Sequence, residues 1–220
     1  MKRALILGAG GLGKAIHEAF LSGRIYRTAG FLDDEKRGMF CRRPVLGKIS
    51  DVSRIAKTSK AAHVIVALGY QYLKERAGLF EKLKRDSSLH VVNAVHRSAK
   101  LAKDVTLGTG IFIGMHVTVN AGTAIDDNSV IWTGSVIEHD NRIGKHVFIA
   151  TGVITAGYVT IEDDVFVGMG AVIAKATIGK NATVGAGSLV LNNVASSAYV
   201  KGSPAKVSSQ KAERSYLPLQ

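Results

Sequence analysis

Ile125-Asp126-Asp127-Asn128-Ser129-Val130-Ile131-Trp132-Thr133-Gly134-Ser135-Val136-Ile137-Glu138-His139-Asp140-Asn141-Arg142-Ile143 carries the pattern that decides the fold, an isoleucine at every sixth residue. Upstream the beat runs through Val95, Leu101, Leu107, Ile113 and Val119. Downstream it passes Ile149, breaks at Thr155, resumes at Ile161, Val167 and Ile173, and after one five-residue step continues at Ile178, Val184 and Val190. Four residues after most beats stands a small or β-branched residue, such as Val117, Ser129, Ser135, Val153 or Ala171. Neither a helix of period 3.6 nor an alternating strand of period 2 holds that spacing, whereas a parallel β-helix of hexapeptide repeats does. Each hexad is then one short strand with a corner, and three hexads make one triangular coil. Gly108, Gly114, Asn120, Gly144, Gly168 and Gly185, directly after beats, read as corner residues in tight or left-handed backbone.

Upstream of the repeat the pattern changes. Arg3-Ala4-Leu5-Ile6-Leu7 reads as a buried strand and Gly8-Ala9-Gly10-Gly11-Leu12-Gly13 as a tight turn. Residues 14–21 read as a helix with Ala15, Ile16, Ala19 and Phe20 on its apolar face. A G-x-G-x-x-G turn between strand and helix lets backbone N–H groups approach a pyrophosphate. A second strand over 28–32 ends in Asp33-Asp34, about twenty residues past the last glycine, where a carboxylate accepts hydrogen bonds from ribose hydroxyls. A third strand over 63–68 ends at Gly69 and leads into a helix over 70–85. Three strands and two or so helices make half of a dinucleotide fold, so a mononucleotide site is expected. The expected domains are 1–92, a Rossmann-like α/β domain, then 93–194, the all-β coil, with 195–220 a closing segment and a polar, basic, partly disordered tail from 208.

Composition narrows the setting. The single cysteine, Cys41, excludes an intrachain disulfide and fits a reducing compartment. The apolar run after Met1-Lys2-Arg3 is too short for a signal peptide or a membrane span, so a cytoplasmic protein without a membrane partner is expected. Of the net charge of +12, residues 1–94 supply nearly all, with 18 Lys and Arg against 8 Asp and Glu, while the remainder has 11 against 9. These basic residues are scattered, with no basic helix or aromatic-interleaved strand, which argues against nucleic acid. Phosphorylated small molecules and plain solubility share the rest.

With both halves in view, the chain resembles the PglD/NeuD-type sugar acyltransferases, hexapeptide-repeat enzymes in which a small Rossmann-like domain precedes a left-handed β-helix. The stretches that carry the resemblance are Gly8 to Gly13, Gly30-Phe31-Leu32-Asp33-Asp34, Val45-Leu46-Gly47, Ala67-Leu68-Gly69, Val95-His96-Arg97-Ser98-Ala99, Gly134-Ser135-Val136-Ile137-Glu138-His139-Asp140 and Gly202-Ser203-Pro204-Ala205-Lys206. The resemblance supplies the hand of the coil. It implies acyl transfer from acetyl-CoA to a sugar amine or hydroxyl, usually nucleotide-linked, in a homotrimer with sites between neighbouring β-helices, and no metal. It implies further that Gly8, Gly10, Gly11, Gly13, Asp33, Asp34 and Gly69 hold the nucleotide, that His139 is the base and Asp140 its orienting carboxylate, and that Pro204 and Lys206 lie near coenzyme A. The N–H of Gly157 is implied to face the acetyl carbonyl, where a fixed donor stabilises the oxyanion. The pattern is broken where family members have an asparagine and a second histidine, here Trp132 and Phe148, with His146 two residues before the latter. These aromatics make the acceptor pocket more apolar or offer a stacking surface for the sugar or the pantetheine. The arginine expected after the third strand is also out of register, leaving Lys74 or Arg76.

A sugar amine attacking a thioester loses a proton as the C–N bond forms, and an imidazole, whose ordinary pKa is about 6.5, suits that task near neutral pH. His139 takes the outward third place of its hexad, between Glu138 and Asp140, either of which fits the task of fixing its tautomer. Asn141 occupies the inward fifth place, and polar breaks of a packing rule tend to mark functional sites. The Gly-rich turn with Asp33-Asp34 ranks N-acetylation of a nucleotide-linked amino sugar ahead of O-acetylation of a free sugar or sialic acid. Two other classes fit less well. A zinc-dependent β-helix hydratase needs three histidines at a spacing that His96, His116, His139 and His146 do not reproduce. An NAD-binding oxidoreductase or non-catalytic nucleotide sensor is disfavoured by the small first domain and by the Glu138-His139-Asp140 hexad.

Overall fold

The computed structural model describes residues 1–208, so the expected tail lies, from 209 on, outside the described residues. The described residues divide into two compact units, Met1–Arg97 with Thr109–Gly114, and Ser98–Gly108 with 115–208.

The first unit contains strands β1 (Lys2–Leu7), β2 (Tyr26–Leu32), β3 (Met39–Phe40), β4 (Arg43–Gly47), β5 (His63–Val66) and β6 (His90–Val91), and helices α1 (Gly11–Gly23), α2 (Val52–Ser59) and α3 (Leu73–Arg85). Its sheet runs β3-β4-β2-β1-β5-β6, parallel except for the β3–β4 hairpin. Ala4, Leu5, Ile6 and Leu7 are fully buried, as a central parallel strand requires. Because β1 lies between β2 and β5, the Gly-rich turn leaves the sheet where the strand order reverses, the usual ligand position in such folds. Helix α1 buries Leu12, Ile16, Ala19 and Phe20 along one face and ends at Arg24, whose left-handed φ of 57° lets its N–H reach Phe20 O. The three strands and two helices read from the sequence are present, with a 3-10 turn at Tyr70–Tyr72 before α3. The sequence reading does not predict β3, β4, α2 or β6. Strands β3 and β6 are two residues long, too short to show a period, and α2 holds two serines and a threonine of modest helix propensity. The lone cysteine, Cys41, forms the two-residue hairpin turn with Arg42, at φ 48° and 58°.

In the second unit each repeat strand has two residues, and the second is the predicted beat, as in Thr118–Val119, Val136–Ile137 and Ile154–Thr155. Strands pair in parallel with those one coil away, Ile137 with both Val119 and Thr155. Three such stacks build a left-handed parallel β-helix. Beats from Val119 to Val190 and the inward places four residues later are almost completely buried. Two serine hydroxyls among them bond the next coil: Ser135 Oγ donates to Ala150 O (3.0 Å) and accepts the N–H of Val153 (3.2 Å), and Ser129 Oγ donates to Gly144 O (2.8 Å).

The corners correct one reading. The left-handed residue is the third after the beat, not the first: Gly122, Asn128, Gly134, Asp140, His146, Gly152, Tyr158, Asp164 and Gly170 have φ between 55° and 71°. Gly108 and Gly144, directly after beats, are small because of the next coil. A Cβ on either would lie 2.5 or 2.6 Å from a carboxylate oxygen of Asp127 or Asp163.

Two histidines of the first unit couple its stability to pH. His17 is buried, with Nδ1 2.8 Å from Thr28 Oγ1 and its ring edge-on to Phe31. Burial lowers its pKa, Arg43 lowers it further, and Glu18 opposes them. His63 is lowered as well, first by burial. The fold therefore takes up these protons at lower pH than the open chain, so stability is full above about pH 6.5 and falls below it. Thermal unfolding should show the midpoint falling as the pH drops through this value, with a shallower fall in His17→Gln. An unchanged slope in that variant would contradict the assignment.

Candidate active site

Val136–Ile137 delivers the chain into a corner made of Glu138, His139, Asp140 and Asn141. His139 Nδ1 lies 2.9 Å from Asp140 Oδ2, with the side chains 49% and 42% exposed. A carboxylate only accepts, so the ring proton belongs on Nδ1 and the lone pair on Nε2. Of the two flanking carboxylates, then, Asp140 is the one bonded to the ring. Two glycines make room for the pair. On the preceding coil, a Cβ at Gly122 would press on the Asp140 carboxylate; on the following coil, a Cβ at Gly157 would sit 2.6 Å from both Cε1 and Nε2 of His139. Next to Gly157, Tyr158 donates its N–H to His139 O (3.1 Å) and sets its ring perpendicular to the imidazole, 5.2 Å between centroids at 88°.

Beneath this corner the coil interior turns polar. Asn141 is fully buried, and its Nδ2 donates to the carbonyls of Glu138 and Ala156. Thr123 Oγ1 donates to Glu138 O (2.9 Å) and accepts the N–H of Asn141 (3.3 Å). Thr155, the residue that breaks the beat, accepts the N–H of Glu138 on Oγ1 (3.2 Å). At Asn120 and Gly144 the equivalent N–H goes to a backbone carbonyl one coil on. An unsatisfied buried amide costs about 1–3 kcal/mol, so an aliphatic residue at 123, 141 or 155 would release the backbone of the corner. Asn141 is visible in the sequence as a polar break and Thr155 as a missing beat. Thr123, Gly122 and Tyr158 are missed, since each is ordinary for its place until its neighbour one coil away is known.

In the first unit the Gly-rich turn separates into two kinds of glycine. Gly8, at φ 122°, and Gly13 are demanded by the fold: a Cβ on Gly8 would lie 2.7 Å from Ala67 O, and one on Gly13 would collide with Gly8 O. Gly10, Gly11 and Gly69 have nothing within 4 Å of a Cβ position, so their bareness leaves space for something outside the fold. Gly10 caps α1 without a side-chain bond, leaving first-turn N–H groups open to an anion. Asp33 organises this turn, accepting the N–H of Ala9 on Oδ2 (2.7 Å) and those of Glu35 (3.0 Å) and Lys36 (2.8 Å) on Oδ1. Partial burial resists its ionisation, but the N–H groups of Lys36, Ala9 and Glu35 and the Lys36 charge outweigh that and hold the carboxyl below its usual range. Lys36 Nζ also donates to Ala9 O (2.6 Å), which places a cation at the loop. Asp34 accepts the N–H of Ile49 (3.0 Å).

Other expected residues lie elsewhere. Trp132 and Phe148 belong to a different stack from His139 and face each other, 6.5 Å between centroids. Phe148 is only 2% exposed and stacks on Phe166 at 5.8 Å, so in this chain its ring offers little surface to a pantetheine. His146 stands in the next corner along the chain, after the strand Arg142–Ile143, and shares a hydrogen bond with the buried Asn128 (2.9 Å). Arg76 is fully buried on α3, and burial lowers its guanidinium to about 9; Lys74 is exposed. Pro204 and Lys206 are exposed near the end of the β-helix, where Ala205 N–H bonds Leu189 O (2.7 Å). Among the described residues no three of His, Cys, Asp and Glu assemble as a metal site.

The family described as PglD N-terminal domain matches residues 3–83, and the bacterial transferase hexapeptide family matches residues 158–192. PerB from Caulobacter crescentus, solved with CoA and GDP-perosamine, is 30% identical, with a TM-score of 0.86 over 94% of this chain and 98% of that one. The acetyltransferase domain of PglB from Neisseria gonorrhoeae FA1090, solved with acetyl coenzyme A, shares the fold at 24% identity, with a TM-score of 0.87 over 94% and 98% of the two chains. GDP-perosamine N-acetyltransferase of Escherichia coli O157:H7 is 30% identical over 110 residues, 49% of this chain and 50% of the relative. This chain spans half or less of the curated relatives it matches, from 50% of the Escherichia coli enzyme down to 17% of the bifunctional protein GlmU of Saccharophagus degradans. With a full-length structural relative at 30% identity and both halves matched in order, the chain belongs to the PglD/NeuD-type family of sugar acyltransferases.

Proposed function

We propose that the protein is an acetyl-CoA-dependent N-acetyltransferase acting on the amine of a nucleotide-linked amino sugar, with His139 as general base. One observation carries the proposal: an imidazole bonded through Nδ1 to Asp140, with its other nitrogen beside the bare backbone of Gly157. In the reaction the sugar nitrogen attacks the thioester carbonyl and His139 Nε2 takes the proton it sheds. Asp140 stabilises the resulting imidazolium, the Gly157 N–H is assigned to the oxyanion, and the imidazolium returns its proton to the departing CoA thiolate. Residues 1–92 are assigned to the nucleotide, through Gly10, Gly11, Gly69 and the turn held by Asp33, with Asp34 beside it. Residues 93–194 are assigned to acyl transfer, with Trp132 beside the acceptor. The described residues from 195 on close the coil, with Pro204 and Lys206 toward the CoA. The names of the Caulobacter and Escherichia relatives favour an amine over a hydroxyl acceptor and guanosine diphosphate as the carrier. No described helix is long and apolar enough to cross a membrane, and a cytoplasmic setting is part of the proposal.

We infer also that the working form is a homotrimer. On the stack that leads to His139, the outward side chains Ile154 and Val172 are 45% and 38% exposed, an apolar column that a second copy would cover. Light scattering should give about 70 kDa, three chains of 23.3 kDa; a monomer at micromolar concentration would contradict this.

Turnover tests the reaction itself. A panel of GDP-, UDP- and dTDP-linked amino sugars with acetyl-CoA, read by thiol release and product mass, should give an N-acetylated sugar with one carrier preferred. His139→Ala should keep its melting temperature, the side chain being half exposed, and lose roughly 10²- to 10⁴-fold in kcat. Near-parental kcat in that variant would remove His139 as the base.

A further inference from the structure

Tyr158 is the residue of the second unit whose backbone fits its side chain least. It occupies the left-handed place of its corner at φ 60°, a place otherwise taken in this unit by glycine, by Asn or Asp, by His116 and His146, or by Ser197. Left-handed backbone is tolerated by glycine and by Asn, Asp and His far better than by a bulky ring. Strain of this kind persists where surrounding structure or function demands it. Packing does not demand it here, because the ring is 58% exposed.

The ring meets the imidazole of His139 edge-on, with a centroid separation of 5.2 Å and an interplanar angle of 88°. Its own position is held by the N–H bond to His139 O (3.1 Å) and by Lys175, whose Nζ lies 5.3 Å from the ring centroid. The bond from Nδ1 to Asp140 fixes one atom of the imidazole but not its plane, since the ring can pivot about that contact. Gly157 bounds the pivot on one side, and Tyr158 adds a second boundary.

We propose that Tyr158 is a positioning residue, whose ring fixes the plane of the His139 imidazole and so aims Nε2 at the nucleophile of the acceptor. The proposal rests on His139 being the base. It explains why an aromatic residue is kept where glycine would relieve the backbone, in the corner one coil beyond Asp140.

Four variants test it: Tyr158→Gly, Tyr158→Phe, His139→Ala and the double variant His139→Ala with Tyr158→Gly. Glycine accepts the left-handed corner, so Tyr158→Gly should melt no lower than the parent. Its kcat should fall about 10- to 100-fold, the usual effect of a small misalignment of a reacting group, while both KM values stay near parental. Tyr158→Phe keeps the ring edge and should keep the parental kcat. In the His139→Ala background, removing Tyr158 should cost nothing further, because it acts through the imidazole. Parental kcat in Tyr158→Gly, an effect on KM alone, or an equal loss in both backgrounds would overturn the inference. If His139→Ala loses activity while Tyr158→Gly does not, only this inference fails; if His139→Ala retains turnover, the base assignment fails and takes this one with it.

Discussion

Parallel stacking of one coil on the next is the constraint from which the rest of the second unit follows. A residue at a given place in a coil lies against the equivalent residue of the coils before and after, as Ile137 lies between Val119 and Thr155. Interior atoms are therefore satisfied almost entirely by the neighbouring coils, and a change in one coil is felt by two others. The aliphatic beats satisfy this by apolar contact, each buried side chain contributing about 1.5–3 kcal/mol. The hydroxyls of Ser129 and Ser135 satisfy it by bonding the next coil's carbonyls. The corners satisfy it by a left-handed residue at one fixed place, which lets every turn repeat the same geometry.

The same stacking builds the site. Within a three-coil slab around Ile137, the interior swaps apolar contact for Thr123, Asn141 and Thr155, and the exterior is thinned to Gly122 and Gly157. The inner three hold the backbone that carries His139, and the outer two leave space for its ring and for the Asp140 carboxylate. A buried hydrogen bond adds only about 1 kcal/mol net, less than a well-packed isoleucine, so Thr155 gives up stability relative to an aliphatic beat. What it gains is a fixed position for the Glu138 amide, one residue before the histidine. In the first unit Asp33 has a comparable role, using three backbone N–H groups to fix the turn that exposes Gly10 and Gly11.

Much of this was legible in the sequence because the β-helix is periodic. Every beat from Val119 to Val190 takes its predicted interior place, and Glu138-His139-Asp140 stands on the predicted corner. Strands β1, β2 and β5 and helices α1 and α3 were equally open to reading, since a continuous apolar run and a helical stripe flank the Gly-rich turn. What was hidden depends on contacts between residues about eighteen apart. Nothing local shows that Gly122 accommodates Asp140, or that Thr155 takes an amide from Glu138. The corner hand was misread for a related reason: glycine directly after a beat answers crowding from the next coil, and glycine two places later answers φ. Trp132 and Phe148 lie on another stack than His139, because a hexad's place around the triangle changes with each step of six.

The most direct measurement is a crystal structure of the protein with CoA and the preferred nucleotide-linked amino sugar. If His139 is the base, the sugar nitrogen will lie about 2.6–3.2 Å from His139 Nε2, on the side that Gly157 leaves open, with the Asp140 bond to Nδ1 intact. A sugar amine bonded to a different side chain, with His139 Nε2 turned to solvent, would contradict it.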